Sequence, residues 1–225
     1  SEITSRMNVD DGQAKYYKVA TDNDMILVNS AGNSEFDFAS DPGIWATEVD
    51  ASGNLILGGK MVIVGNWDTT GQIVQGNKAG HVCLDINTSN NTCNDKHRIS
   101  DFYILAPGQE IYSAVADNGY MSLSGTSMAA PHVTGAFGII NQMWPHMKGE
   151  ELVKLILQTA DKNLIDGDNK LVYDVNIHGQ GLLDLNEATK PQGAVGLNLT
   201  GRTNGPLIDV GGTYFSTGTA LPSNL

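Results

Sequence analysis

The run Gly125-Thr126-Ser127-Met128-Ala129-Ala130-Pro131 constrains this chain more than any other stretch. A small, polar segment from Tyr120 to Gly125 leads into it, and a long apolar segment from Val133 to Trp144 leaves it. The pattern is a loop ending in a helix, with a serine at the junction. Such a serine has two uses. Its hydroxyl can cap the helix by accepting a first-turn N–H, which is the commoner arrangement. It can also act as a nucleophile, presented where free N–H groups and the helix dipole favour developing negative charge. The neighbours fit the second use. Gly125 permits a close backbone approach, Ala129 and Ala130 leave room beside the hydroxyl, and Pro131 falls in the first turn, where a missing N–H costs little.

The string Gly125 to Val133, GTSMAAPHV, resembles the nucleophile motif of the subtilisin-like serine proteases, the subtilases. A second segment lies N-terminal to it. Met25-Ile26-Leu27-Val28 reads as a short strand of a parallel sheet, and Asn29-Ser30-Ala31-Gly32-Asn33-Ser34 turns sharply at its C-terminal end, where open α/β sheets place their sites. On its own Asn33 is a turn asparagine or a donor to an oxyanion. In this order, Ala31-Gly32-Asn33 resembles the subtilase oxyanion segment. The resemblance implies that Ser127 and Asn33 are catalytic, and that Ser30, Ala31, Gly32, Asp41, Gly125 and Thr126 border the substrate. Asp41-Pro42-Gly43, taken alone, is a turn. Asn33 precedes Ser127 by 94 positions, somewhat long for the family, and Gly71 to Arg98 is read as an insertion.

The fold implied is α/β: the C-terminal part of a subtilisin-like three-layer fold, with a mostly parallel buried sheet and a central buried helix starting at Ser127. A helix near Gly12 to Ala20 and strands at Met61 to Val64 and Tyr103 to Leu105 fit this reading, the last ending in a family-like Ala106-Pro107-Gly108 turn. Asp117-Asn118-Gly119 predicts a hairpin. The helix after Ser127 is apolar nearly all round, which predicts burial on every side. A second helix is expected over Glu150 to Ala160, and His178-Gly179-Gln180-Gly181-Leu182-Leu183-Asp184 resembles the segment that closes the subtilase domain. Residues 1–190 form this catalytic-domain portion, and 191–225 are a Gly/Thr-rich linker or the start of a following module.

Serine chemistry needs a base, and the base needs an orienting group. The family carries an aspartate in D-T/S-G and a histidine in H-G-T-H, both upstream of the oxyanion segment, and neither string occurs here. The five histidines are His81, His97, His132, His146 and His178. His132 is nearest in sequence, but five helical steps turn it about 140° away from Ser127. The resemblance therefore implies a serine endopeptidase whose base and orienting aspartate lie outside this chain, leaving the chain alone inactive. Two alternatives stand beside it: a non-catalytic binding module that kept the fold, and a sedolisin-like acid peptidase. An oxyanion Asn33 favours the subtilase reading over the last, and Ser127 kept together with Asn33 argues against the first.

A net charge of −12 argues against nucleic-acid or anionic-membrane partners, leaving a protein or peptide substrate and the upstream part of the same protease domain as expected partners. No run approaches the roughly 18 apolar residues of a membrane span. Ser1 to Ala20 contains no apolar segment of the signal-peptide kind. Cys83 and Cys93 flank a polar loop, LDINTSNNT, which suggests a disulfide and an oxidising compartment; a reduced pair is the alternative. His81 and His97 flank the cysteines at a spacing unlike the usual zinc patterns. Together with the Gly/Thr-rich extension, this points to a secreted or surface protein of bacterial type. No particular cofactor is implied, beyond a structural calcium as an option. Asp166-Gly167-Asp168-Asn169 is a hairpin turn or a structural calcium loop.

Overall fold

The computed structural model describes residues 12–34, 43–68, 77–80, 86–87, 92–93, 97–166 and 168–191. Its centre is a three-stranded parallel sheet in the order β1-β2-β5, formed by β1 (Leu27–Ser30), β2 (Met61–Trp67) and β5 (Tyr103–Pro107). Val28 lies opposite Val62, and Val64 opposite Ile104. The middle strand is apolar without alternation because both its faces are covered, as parallel strands require. Met61, Val62, Ile63 and Val64 are all fully buried.

The two faces feed two cores. Met61, Ile63, Tyr103 and Leu105 point to one side, where Ile44 and Leu57 join them. Val62, Val64, Ile104 and Ala106 point to the other, where two helices pack. These are α2 (Thr126–Met143) and α3 (Gly149–Gln158), the latter amphipathic through Leu152, Val153 and Ile156. A helix α1 (Gly12–Asp22) precedes β1, with Tyr17 packed edge-on against Trp45. The mixed α/β architecture, with a buried parallel sheet between layers, is the one expected.

Burial of α2 differs from the expectation of cover on every side. Thr126, Ala129, Val133, Ala136, Phe137 and Ile140 recur at helical spacing and are buried against the sheet. The opposite stripe is open: Gly135 and Gly138 have nothing within 4 Å of where a Cβ would sit, and Ile139 and Met143 are 46% and 44% exposed. One stripe is enough to bind a helix to a sheet; covering the other needs chain that the described residues do not supply.

The hairpin forms where Asp117-Asn118-Gly119 placed it. β6 (Ile111–Ala114) and β7 (Tyr120–Leu123) pair antiparallel, and Asp117 and Asn118 both take positive φ, as such turns demand. A short antiparallel pair, β3 (Ile86–Asn87) with β4 (Thr92–Cys93), lies within the expected insertion. That stretch is not wholly peripheral. Residues 77–80 belong to the core: Asn77, Ala79 and Gly80 are buried, and Ala79 N–H and Gly80 N–H donate to Ile177 O and Asn176 O. After the short helix α4 (Val175–His178), the closing segment pairs with the outer edge of β5, with Leu105 N–H bonded to Gly181 O and Leu183 N–H to Leu105 O. A last turn of helix, α5 (Leu185–Ala188), ends the described core, capped by Asp184. The Asp166 carboxylate accepts the N–H groups of Asp168 and Lys170, and Ile165 bridges Leu171, so this segment is a turn closed on itself.

Candidate active site

The helix α2 begins at a glycine cap. Gly125 sits at φ 143° and ψ 171°, a conformation only glycine adopts readily, and no side chain caps the helix. Ser127 is therefore the second helical residue and does not use its hydroxyl as a cap. It is exposed. Three of the first-turn N–H groups are spent: Thr126 N–H on Asn33, and Met128 N–H and Ala129 N–H on Gly125 O. The Ser127 N–H is left open among the described residues, on the electropositive end of an 18-residue helix.

Asn33 comes to this helix from the end of β1. Its Oδ1 accepts from Thr126 N–H at 2.9 Å and from the Thr126 hydroxyl at 3.0 Å. The Thr126 oxygen in turn accepts from Gly32 N–H at 3.3 Å. With its carbonyl end held, the exposed Asn33 presents its amide N–H groups as the unspent donors. Gly125 is pressed against this amide: a Cβ there would lie 3.2 Å from Asn33 Nδ2 and Oδ1. Gly125 N–H is bonded to Gly108 O, which explains why the Ala106-Pro107-Gly108 turn belongs to the site. Thr126, read from sequence as bordering the substrate, is fully buried here and turned toward Asn33. Ala31 is buried, with its N–H on Val64 O, whereas Ser30 and Gly32 are half-buried. Asp41 lies outside the described residues.

Beside Ser127 runs a groove of about 340 Å³, walled by Met128, Pro131 and His132 on one side and by Tyr112, Met121 and Leu123 of the hairpin on the other. The Tyr112 and Tyr120 rings stack at 5.7 Å on the hairpin's surface.

None of the described histidines is hydrogen-bonded to Ser127. His132 Nδ1 bonds the Met128 carbonyl at 2.9 Å. His97 packs against Phe102, and His146 is exposed beyond the end of α2. His178 is buried on the opposite face of the sheet, stacked on Tyr173 and edge-on to Trp67. Desolvation holds its pKa below the ordinary histidine value, only partly offset by Asp174. Its Nδ1 lies 2.8 Å from the Asp174 backbone nitrogen and 3.1 Å from the Asp174 carbonyl oxygen. His81 and Cys83 lie outside the described residues, and Cys93 is described only as backbone of β4.

Sequence reasoning missed Asn77, which is fully buried and bonded to the turn that carries Asn33. Its place inside an apparent insertion hid it; the only signal was the local Asn-Lys-Ala-Gly run.

Comparison with known proteins bears on this arrangement. Residues 3–181 match the family described as "Subtilase family". The chain is 39% identical over 93 residues to the C5a peptidase of Streptococcus pyogenes, covering 38% of this chain and 8% of that protein. It is 31% identical over 91 residues to subtilisin DY of Bacillus licheniformis, covering 40% of this chain and 30% of that one. Among solved structures, the self-cleaved protease domain of PatA superposes with a TM-score of 0.55 at 21% identity, over 82% of this chain and 57% of that one. The PatG macrocyclase in complex with peptide gives 0.53 at 21%, over 77% and 45%. The chain thus spans well under two thirds of the length of these relatives.

Proposed function

Because the chain belongs to the subtilase family, we propose that it carries the nucleophile and oxyanion portion of a serine endopeptidase, with Ser127 forming the acyl-enzyme and Asn33 donating to the oxyanion. One observation carries this reading: Thr126 grips Asn33 by its carbonyl end, bringing two segments 93 positions apart to one spot beside an exposed hydroxyl. In the proposed reaction Ser127 Oγ bonds to the carbonyl carbon of a peptide lying in the adjoining groove. Its proton passes to a base and then to the leaving amine. The carbonyl oxygen becomes charged, and the Asn33 amide and Ser127 N–H donate to it where that charge is greatest. Water then cleaves the ester. Ser30, Ala31, Gly32, Gly125 and Asp41 border the peptide, whereas Thr126 acts from behind, through Asn33.

The base and its orienting carboxylate are proposed to come from the upstream part of the same domain. Two surfaces support this. β1 is the outer strand of a parallel sheet, with one edge unpaired among the described residues. The open stripe of α2, smooth at Gly135 and Gly138, suits a second packed element. A Cys83–Cys93 disulfide, and with it a secreted or surface location, is proposed from the polar loop these residues flank.

A fluorophosphonate probe tests the reading. It should label the intact protease but not its Ser127→Ala variant, and should label residues 1–225 poorly. An intact protein that folds but takes no label would instead indicate a binding module. Rapid peptide turnover by residues 1–225, abolished by Ser127→Ala, would overturn the placement of the base.

A further inference from the structure

We infer that Asn77 and Tyr103 are positioning residues, which hold the Ala31-Gly32-Asn33 turn in the orientation its amide needs. The inference rests on Asn33 as oxyanion donor. Two consecutive carbonyls before Asn33 are bound by one residue: Asn77 N–H donates to Gly32 O at 2.9 Å, and Asn77 Nδ2 donates to Ala31 O at 3.0 Å. Asn77 is itself fixed, because the Tyr103 hydroxyl donates to its backbone oxygen at 2.6 Å. On the other side Thr126 holds Gly32 N–H and Asn33 Oδ1. The turn is therefore clamped from both flanks, by the helix that bears the nucleophile and by the strand two places away in the sheet.

Packing alone does not call for these residues. Asn77 and Tyr103 are both fully inaccessible, and a buried amide or hydroxyl costs stability unless every bond is made. What a satisfied buried network adds is a single fixed geometry. The sheet makes room for it: at Gly65, a Cβ would fall 1.9 Å from the Tyr103 hydroxyl. Burial also pushes the Tyr103 phenol above its ordinary value, which favours the protonated, donating form. The Asn33 amide is exposed, and its two bonds to Thr126 hold its carbonyl end only, so the aim of its N–H end also depends on the backbone beneath it.

A double-mutant cycle in the intact protease tests this. Asn77→Ala and Tyr103→Phe are each made with Asn33 present and in the Asn33→Ala background, and kcat, KM and thermal midpoints are measured. With Asn33 present, Asn77→Ala should lower kcat about tenfold, the scale of one lost hydrogen bond, and leave KM nearly unchanged. Tyr103→Phe should act in the same direction, about threefold. In the Asn33→Ala background both effects should vanish, because nothing remains to be aimed. Equal losses in both backgrounds would reduce Asn77 to a structural residue and overturn the inference, as would an unchanged kcat with Asn33 present. If Asn33→Ala alone left kcat unchanged, the oxyanion assignment itself would fail, and the inference with it. Should Asn77→Ala not fold, Tyr103→Phe, which keeps the ring volume, carries the same cycle.

Discussion

Thr126 binds Asn33 twice: its N–H and its hydroxyl both donate to the one Oδ1, at 2.9 and 3.0 Å. A helix N-terminus thus uses a backbone donor and a side-chain donor to fix the carbonyl end of an amide. The opposite, N–H end of that amide is then the part available to a ligand. Because Thr126 is buried and Asn33 exposed, the grip is sheltered from water while its consequence is not.

Replacing Asn33 in the intact protease separates catalysis from turn formation. Asn33→Ala should lower kcat by about 10²–10³-fold with little change in KM, since the lost bond forms mainly in the transition state. Asn33→Gly should do the same. A wild-type kcat for Asn33→Gly, with only the melting temperature altered, would show that Asn33 is a turn residue. Thr126→Val, which keeps the shape and removes the hydroxyl, should cost kcat about tenfold, and Thr126→Ser should restore most of it.

Gly125 is expected to tolerate no side chain. Its φ of 143° is essentially confined to glycine, and a Cβ would press on the Asn33 amide at 3.2 Å. Gly125→Ala should destabilise the fold by about 1–3 kcal/mol. Urea unfolding of this chain checks it: a lower midpoint at unchanged slope is the expected outcome, and a change under 0.5 kcal/mol would contradict the geometry.

Buried His178 should make stability depend on pH. Its folded pKa is depressed, first by desolvation, so the unfolded chain binds the proton more strongly and stability rises with pH. The contribution is complete above the unfolded value of 6.5 and is lost as pH falls through that value toward the lower folded one. Thermal midpoints between pH 8 and 5 should fall for the wild type and fall less steeply for His178→Gln. Parallel profiles would place the dependence elsewhere.

A Cys83–Cys93 bridge should contribute about 2–3 kcal/mol, the scale for a short closed loop. Thiol titration of the unreduced, denatured protein should detect no free thiol. Two free thiols would remove both the bridge and the argument for an oxidising compartment.

Local chemistry made much of this protein legible from its sequence. GTSMAAPHV marks a helix start at a glycine with small residues beside its serine, and its resemblance to the subtilase motif favours the serine as nucleophile. The unbroken run Met61 to Val64 announces a strand covered on both faces, and Asp117-Asn118-Gly119 a tight hairpin, since each rests on preferences that act over a few residues. Other features depend on which distant atoms meet. Asn77 looks like part of a polar insertion until its amide is found on Ala31 O, 46 positions away. Thr126 looks like part of the substrate wall until its hydroxyl is found turned inward to Asn33. The run after Ser127 looks buried on every side, because sequence records its apolarity but not what covers each face. Hydrogen bonds between remote segments leave no periodic trace in a sequence. Only the tertiary structure decides where a buried polar group finds its partner, and which apolar stripe of a helix meets the sheet.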